Sequence, residues 1–202
     1  MNPKEKSWKF LLFSENYINM VTNNLEKAIE TGNPSALVSK NKISVETLIN
    51  KTKYCDYSII IALLFLFYHW IELVLKGYLL AKVNENEITH HNIERLLEEF
   101  KNYYPDEKEI ITFFEKYIQT NNMPLLLKKF FNKNNLTTGG FYAFFKYPLD
   151  RDFNIEYDYT DITYTDEQGL IFFNELLGDI NQNKKYIVNL GRDIKSLDIY
   201  NK

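Results

Sequence analysis

Three polar residues interrupt the most apolar run of the chain. In FYHWIELVLKGYLL, residues 67–80, His69, Glu72 and Lys76 stand among aromatic and aliphatic side chains. Glu72 and Lys76 are four positions apart with the acid first, the order in which they meet on one helical face. On an open surface such a pair contributes about 0.2 to 0.5 kcal/mol. Inside an apolar segment, removing one partner strands a charge and costs roughly 3 to 5 kcal/mol. Either these charges satisfy one another where helices or subunits meet, or they line a functional cleft. Mutual pairing is the preferred reading, with His69, three positions before Glu72, able to join the network. A lone histidine there is more often a satisfied core residue than a ligand.

The second cluster with chemical capacity is THHNIERLLEEF, residues 89–100. His91 and Arg95 are four apart and would project together from a helix, a histidine base beside an arginine that stabilises a phosphorane-like charge. His90 is the alternative base. The blander reading, which we prefer, has Thr89 or Asn92 capping the helix and a first-turn histidine bonded to nearby backbone. Other signatures are missing. TTGG, residues 137–140, lacks both a following lysine and a preceding strand, so it is no phosphate loop. Three histidines, two of them adjacent, and one distant cysteine make no zinc site. No serine sits in a nucleophile elbow. Neither a metal nor a cofactor is expected.

The elements that position these residues read as helices. With 202 residues, 45% hydrophobic and 16% aromatic, and only 7 Gly and 5 Pro, the chain suits one helical domain over 1–202 with a sizeable core. A net charge of -3 and a pI of about 5.7 exclude general attraction to nucleic acid or anionic lipid but leave room for a local basic patch. The single cysteine, Cys55, fits a reducing compartment and reads as a small buried hydrophobe. The apolar stretch after Lys4, Lys6 and Lys9 stops at Ser14, too short for a signal peptide. The uncharged block Ile59 to Tyr68 is shorter than the roughly 20 residues a membrane span needs. A soluble, cytoplasmic protein is expected.

Apolar spacing of three and four predicts a first helix over 4–30, ending at TGNP, residues 31–34, where Gly32 can turn left-handed. A linker with weak helical potential follows to residue 52. A core helix over 53–83 is apolar on nearly every face and stops at NENE, Asn84 to Glu87. Further helices are expected over 89–103, 106–118 and 125–131. From Asn154 to Tyr164 the apolar residues alternate instead, which predicts two short strands or a bulged β-ribbon. TDEQ, residues 165–168, has capping-box spacing and would open a long last helix reaching Leu197. The fold class is therefore all-α: an up-and-down helical bundle of about five helices with a small β-ribbon insertion before the last.

Three segments in this order resemble the HEPN superfamily of helical domains: IELVLKGYLL, HHNIERLL and FKYPLD, Phe145 to Asp150. They span residues 53–195, with 1–52 an added N-terminal helix and linker. The resemblance implies a bundle that forms a homodimer through the face carrying its polar residues. It also implies a setting in prokaryotic toxin–antitoxin or phage-defence systems, often with a nucleotidyltransferase-like partner. Many members are metal-independent ribonucleases with an arginine followed four to six residues later by a histidine. Here none of Arg95, Arg151 or Arg192 has such a histidine. The expectation is therefore a non-catalytic module that binds a protein partner, a nucleotide or RNA through a cleft near Glu72, Lys76, His69, His91, Lys146 and Tyr147. The alternatives are a ribonuclease with a rearranged site of His90 or His91 with Arg95, or a purely structural dimerisation module.

Overall fold

A helix apolar all round can only be an axis that other helices cover, and α3, Asp56–Leu80, fills that place. From Trp70 to Leu80 every residue is buried, Glu72 and Lys76 included. The computed structural model describes residues 2–34, 37, 41–83, 85–140, 142–150 and 152–196. Asn84, Arg151 and Leu197, which figured in the sequence expectations, lie outside them. Around α3 pack α1, Pro3–Thr31, and α4, Ile93–Tyr103, while α7, Glu167–Ser196, lies against α1. The fifth helix, α5, Lys108–Ile118, bridges α4 and α7, and α6, Leu125–Lys133, contacts α7. One short helix, α2, Val45–Thr52, occupies the expected linker and buries none of its residues. The all-α class holds.

Local chemistry accounts for the helix ends. Asn2 and Glu5 form a reciprocal capping box at the start of α1, where Pro3 takes the first-turn position that tolerates proline. Gly32 closes the helix at φ 77°, as TGNP predicts. Ser44 caps α2 and Asn92 caps α4 through the Arg95 N–H. Cys55 is buried just before α3. Val45–Leu80 includes a stretch apolar enough to cross a membrane, but 61% of that window is buried inside the protein, as a core helix requires.

Two expectations are corrected. No strand forms among the described residues; the predicted ribbon shrinks to one isolated antiparallel pairing between Leu149 and Glu156. Tyr157 donates its backbone N–H to the Pro148 carbonyl, but other backbone donors of the segment are served by side chains instead of a partner strand. Asp150 accepts from Asn154 and Ile155, and Asn134 accepts from Asp158. Tyr157 and Tyr159 pack inward, Tyr159 stacking on Phe130 at 5.6 Å and donating its hydroxyl to the Phe144 carbonyl, whereas Ile155 and Tyr164 stay exposed. The segment is thus a lid on the core. The capping box predicted for TDEQ is also replaced. Thr165 donates both its backbone N–H and its hydroxyl to Asp56, a residue on another helix, at 2.8 and 2.6 Å.

Asp56 is fully buried, and a carboxylate out of water needs donors. It also accepts from the backbone of Tyr57 and Tyr164 and from the Asn33 amide, while the Asn33 carbonyl oxygen takes the Asp56 N–H at 2.6 Å. Asn33 is itself buried at φ 50° just beyond α1 and reaches the Asp166 carbonyl. One carboxylate so ties the end of α1 and the starts of α3 and α7. Gly169 makes room for it, because a β-carbon there would collide with Thr165 Oγ1, Asn33 Nδ2 and Asp56 Oδ2.

Asp56→Ala leaves these donors unpaired and lowers unfolding free energy by about 3 to 5 kcal/mol. Gly169→Ala, which inside an open helix would add about 1 kcal/mol of stability, lowers it here. Denaturant melts of both variants check the pair, and a stabilised Gly169→Ala would refute the packing argument.

Candidate functional site

The second buried carboxylate of α3 organises the polar cluster anticipated at its C-terminal half. Glu72 is 3% exposed and its two oxygens divide the work. Oε1 takes Lys76 Nζ at 2.8 Å and His91 Nδ1 at 2.7 Å. Oε2 takes the Tyr142 hydroxyl at 2.6 Å and lies 3.5 Å from His69 Nδ1. Glu72, Lys76 and His69 share one face of α3 by helical spacing, whereas His91 comes from the loop before α4. Tyr142 reaches in from between two single 3-10 turns, Thr138–Gly140 and Ala143–Phe145. It is fully buried and left-handed at φ 36°, an uncommon conformation for a bulky residue, held because its ring and hydroxyl are both fixed.

Proton positions follow from these contacts. Burial alone would raise the Glu72 pKa, but hydrogen bonds from His69, Lys76 and Tyr142, with the Lys76 charge, hold it below the usual carboxylate range. Burial and the adjacent carboxylate push the Tyr142 phenol far up. Glu72 is therefore an anion that only accepts, so His91 Nδ1 and Tyr142 Oη must donate to it. The 3.4 Å approach of Lys76 Nζ to His91 Nδ1 brings two donors together and is proximity, not a bond. His69 Nδ1, 2.9 Å from Tyr142 Oη, donates to that oxygen in turn. Both imidazoles thus have Nδ1–H turned inward, which puts the lone pair of each neutral ring on Nε2. The His91 side chain is 55% exposed.

Lys146 completes the cluster. Its ammonium sits 5.4 Å over the Phe65 ring and 5.1 Å over Tyr142. Partial burial lowers its pKa and the Glu72 charge opposes that shift. Tyr147 stands apart, 63% exposed, with its backbone bonded to Ala143 and to the Tyr159 hydroxyl. Among the described residues, no three His, Cys, Asp or Glu side chains are arranged to hold a metal ion.

The partnership of His91 with Arg95, weighed as the alternative to helix capping, does not form. Because Asn92 is the cap, His91 lies outside α4 and turns to Glu72, while Arg95 points elsewhere and pairs with Glu99 at 2.9 Å. His90 approaches the same Glu99 oxygen at 3.4 Å. The candidates therefore split. Glu72, Lys76, His69, His91 and Lys146 converge, and His90 with Arg95 makes a separate group on Glu99. Tyr142 was missed from the sequence, since no spacing links it to a residue 70 positions earlier. The one available sign was an aromatic residue with a polar tip in an apolar run, FYAFF.

No protein-family model, curated protein or solved structure matches this chain.

A carboxylate held below its ordinary pKa contributes stability that is present above pH about 4.5 and lost as pH falls toward the folded value. Glu72→Gln removes that contribution, strands Lys76 and lowers stability at pH 7 by about 3 kcal/mol. The gap between parent and variant narrows below pH about 4.5. Unfolding curves from pH 7 to 3 test this, and a constant gap would contradict it.

Proposed function

We propose that the chain is a HEPN-like helical binding module that takes a phosphate-bearing ligand, a nucleotide or RNA, at the cleft formed by Lys76, His91 and Lys146. The observation that carries this reading is the local charge balance. One carboxylate, Glu72, faces two lysines and two histidines, so the cluster keeps a positive excess although the whole chain is at -3. Glu72 serves as the internal counter-ion that fixes the donors in place, and it is spent on them. Arg95, the one arginine weighed as a stabiliser of a phosphoryl transition state, is engaged by Glu99 away from the cleft. Both points favour binding over cleavage. The motif order adds a cytoplasmic homodimer working beside a protein partner, and light scattering at micromolar concentration reads the dimer.

A second reading has its own observation. His91 Nδ1 is 2.7 Å from Glu72 and its ring is half open to solvent, the carboxylate-oriented histidine of a general base. With Lys146 in the field of the same carboxylate, a metal-independent ribonuclease is the reaction class that this arrangement could serve.

The expected result is that labelled single-stranded RNA binds with an affinity that falls as salt rises. Lys146→Ala weakens that binding and reduces the salt slope by about one, and no RNA is cut in the presence of a chelator. Cleavage by the parent that His91→Ala abolishes would establish the ribonuclease reading instead. Absence of any RNA or nucleotide binding at low salt would overturn both.

A further inference from the structure

The short helix α2 buries none of its own residues, yet it carries an apolar face. Val45, Leu48 and Ile49 are 73%, 44% and 57% exposed, and their spacing sets them side by side. Ser44 caps the helix, Glu46 stands in its first turn and Lys51 in its last, so local sequence specifies a helix there. Eight residues alone in water make only a marginal helix, which a covering surface would stabilise.

A groove between α1 and α7 has the converse shape. Leu11, Ile18, Trp70 and Ile187 floor it, and Leu12 on its rim is 45% exposed. Its enclosed part measures about 50 Å³, against ~150 Å³ for an apolar cavity that accepts benzene. That is too small for a free ligand of such size and suits one aliphatic side chain entering from another protein surface. The charges match as well. Glu46 and Lys51 fall on opposite flanks of the α2 stripe, while the groove presents Lys184 from α7 and Glu15 from α1. A helix laid between those walls sets acid against base on both sides.

Each α2 is held away from the groove of its own chain. The Thr52 carbonyl at its end accepts from the Cys55 N–H and the Ser58 hydroxyl at 3.1 and 2.9 Å, which fixes α2 to the start of α3. The groove lies beside Trp70, about 18 Å further along α3 than Ser58, whereas the whole of α2 is about 12 Å long. We propose that the α2 of a second copy fills the groove between α1 and α7, two chains exchanging their α2 helices. The inference rests on the homodimer reading above, to which it gives an interface, and does not depend on what the cleft binds.

Light scattering and sedimentation of full-length parent and variants test it. The parent is expected to be a dimer. Leu48→Asp raises its dissociation constant at least about 100-fold, because the exchange uses that residue twice. Glu46→Lys and Lys184→Glu each weaken the dimer, and the two together restore it. Leu12→Cys and Ile49→Cys chains, mixed and treated with a short bismaleimide, form a covalent dimer that neither forms alone. A dimer that Leu48→Asp leaves intact would overturn the exchange and spare the homodimer. Cross-linking of Ile49→Cys to itself, or none in the mixture, would overturn the exchange too. A monomeric parent would overturn both.

Discussion

A carboxylate removed from water has to be met by donors, and α3 carries two such groups sixteen positions apart, Asp56 and Glu72. Neither can be served by its own helix alone. Each therefore dictates which distant segments must come to it. Asp56 requires the residue after α1 and the residues before α7. Glu72 requires the loop before α4 and the turn that carries Tyr142. Apolar burial brings the helices together without saying how they should be registered, since grease packs against grease in many ways. The two buried anions remove most of that freedom, because a slipped helix would leave a charge unmet.

The two sites differ in what they recruit. Asp56 is satisfied mainly by backbone N–H groups, which neither titrate nor turn away, and Gly169 closes over them without side-chain bulk. It has the character of a rivet. Glu72 is satisfied by side chains with charge or protons of their own: a lysine, two histidines and a tyrosine. Its outer members reach solvent at His91 and extend to Lys146 over the Tyr142 ring. Buried anions of one kind thus give a fixed joint at one end of α3 and an adaptable polar opening at the other.

The strain at Tyr142 belongs to the same account. A left-handed tyrosine is unfavourable by itself. It is held there because the phenol must pass between His69 and Glu72 while its ring lies against Phe65. Backbone comfort is given up locally so that the second oxygen of Glu72 is met. Glu72, Tyr142 and His69 then behave as one unit, and a change at any of them alters the proton arrangement of the others.

Much of the architecture is written in residue order. The 3.6-residue periodicity sets α1, α4, α5 and α7 within a few residues, the all-round apolarity of α3 marks the axis, and Asn92 and Gly32 mark helix ends. The pairing of Glu72 with Lys76 is also legible, because it is a contact between neighbours on one helical face. Local pattern misleads where a partner arrives from far along the chain. Asn134 and Asp150 take three of the backbone donors that a ribbon would have used, and Asp56 draws off the Thr165 hydroxyl that was expected to cap α7. His91 turns from Arg95 to Glu72 for the same reason. The sequence alone thus determined the long helices and the burial of the Glu72–Lys76 pair, because those follow from period and neighbours. Only tertiary structure decided which donors meet the buried charges, since that depends on residues 19 to 109 positions away that folding brings within 3 Å.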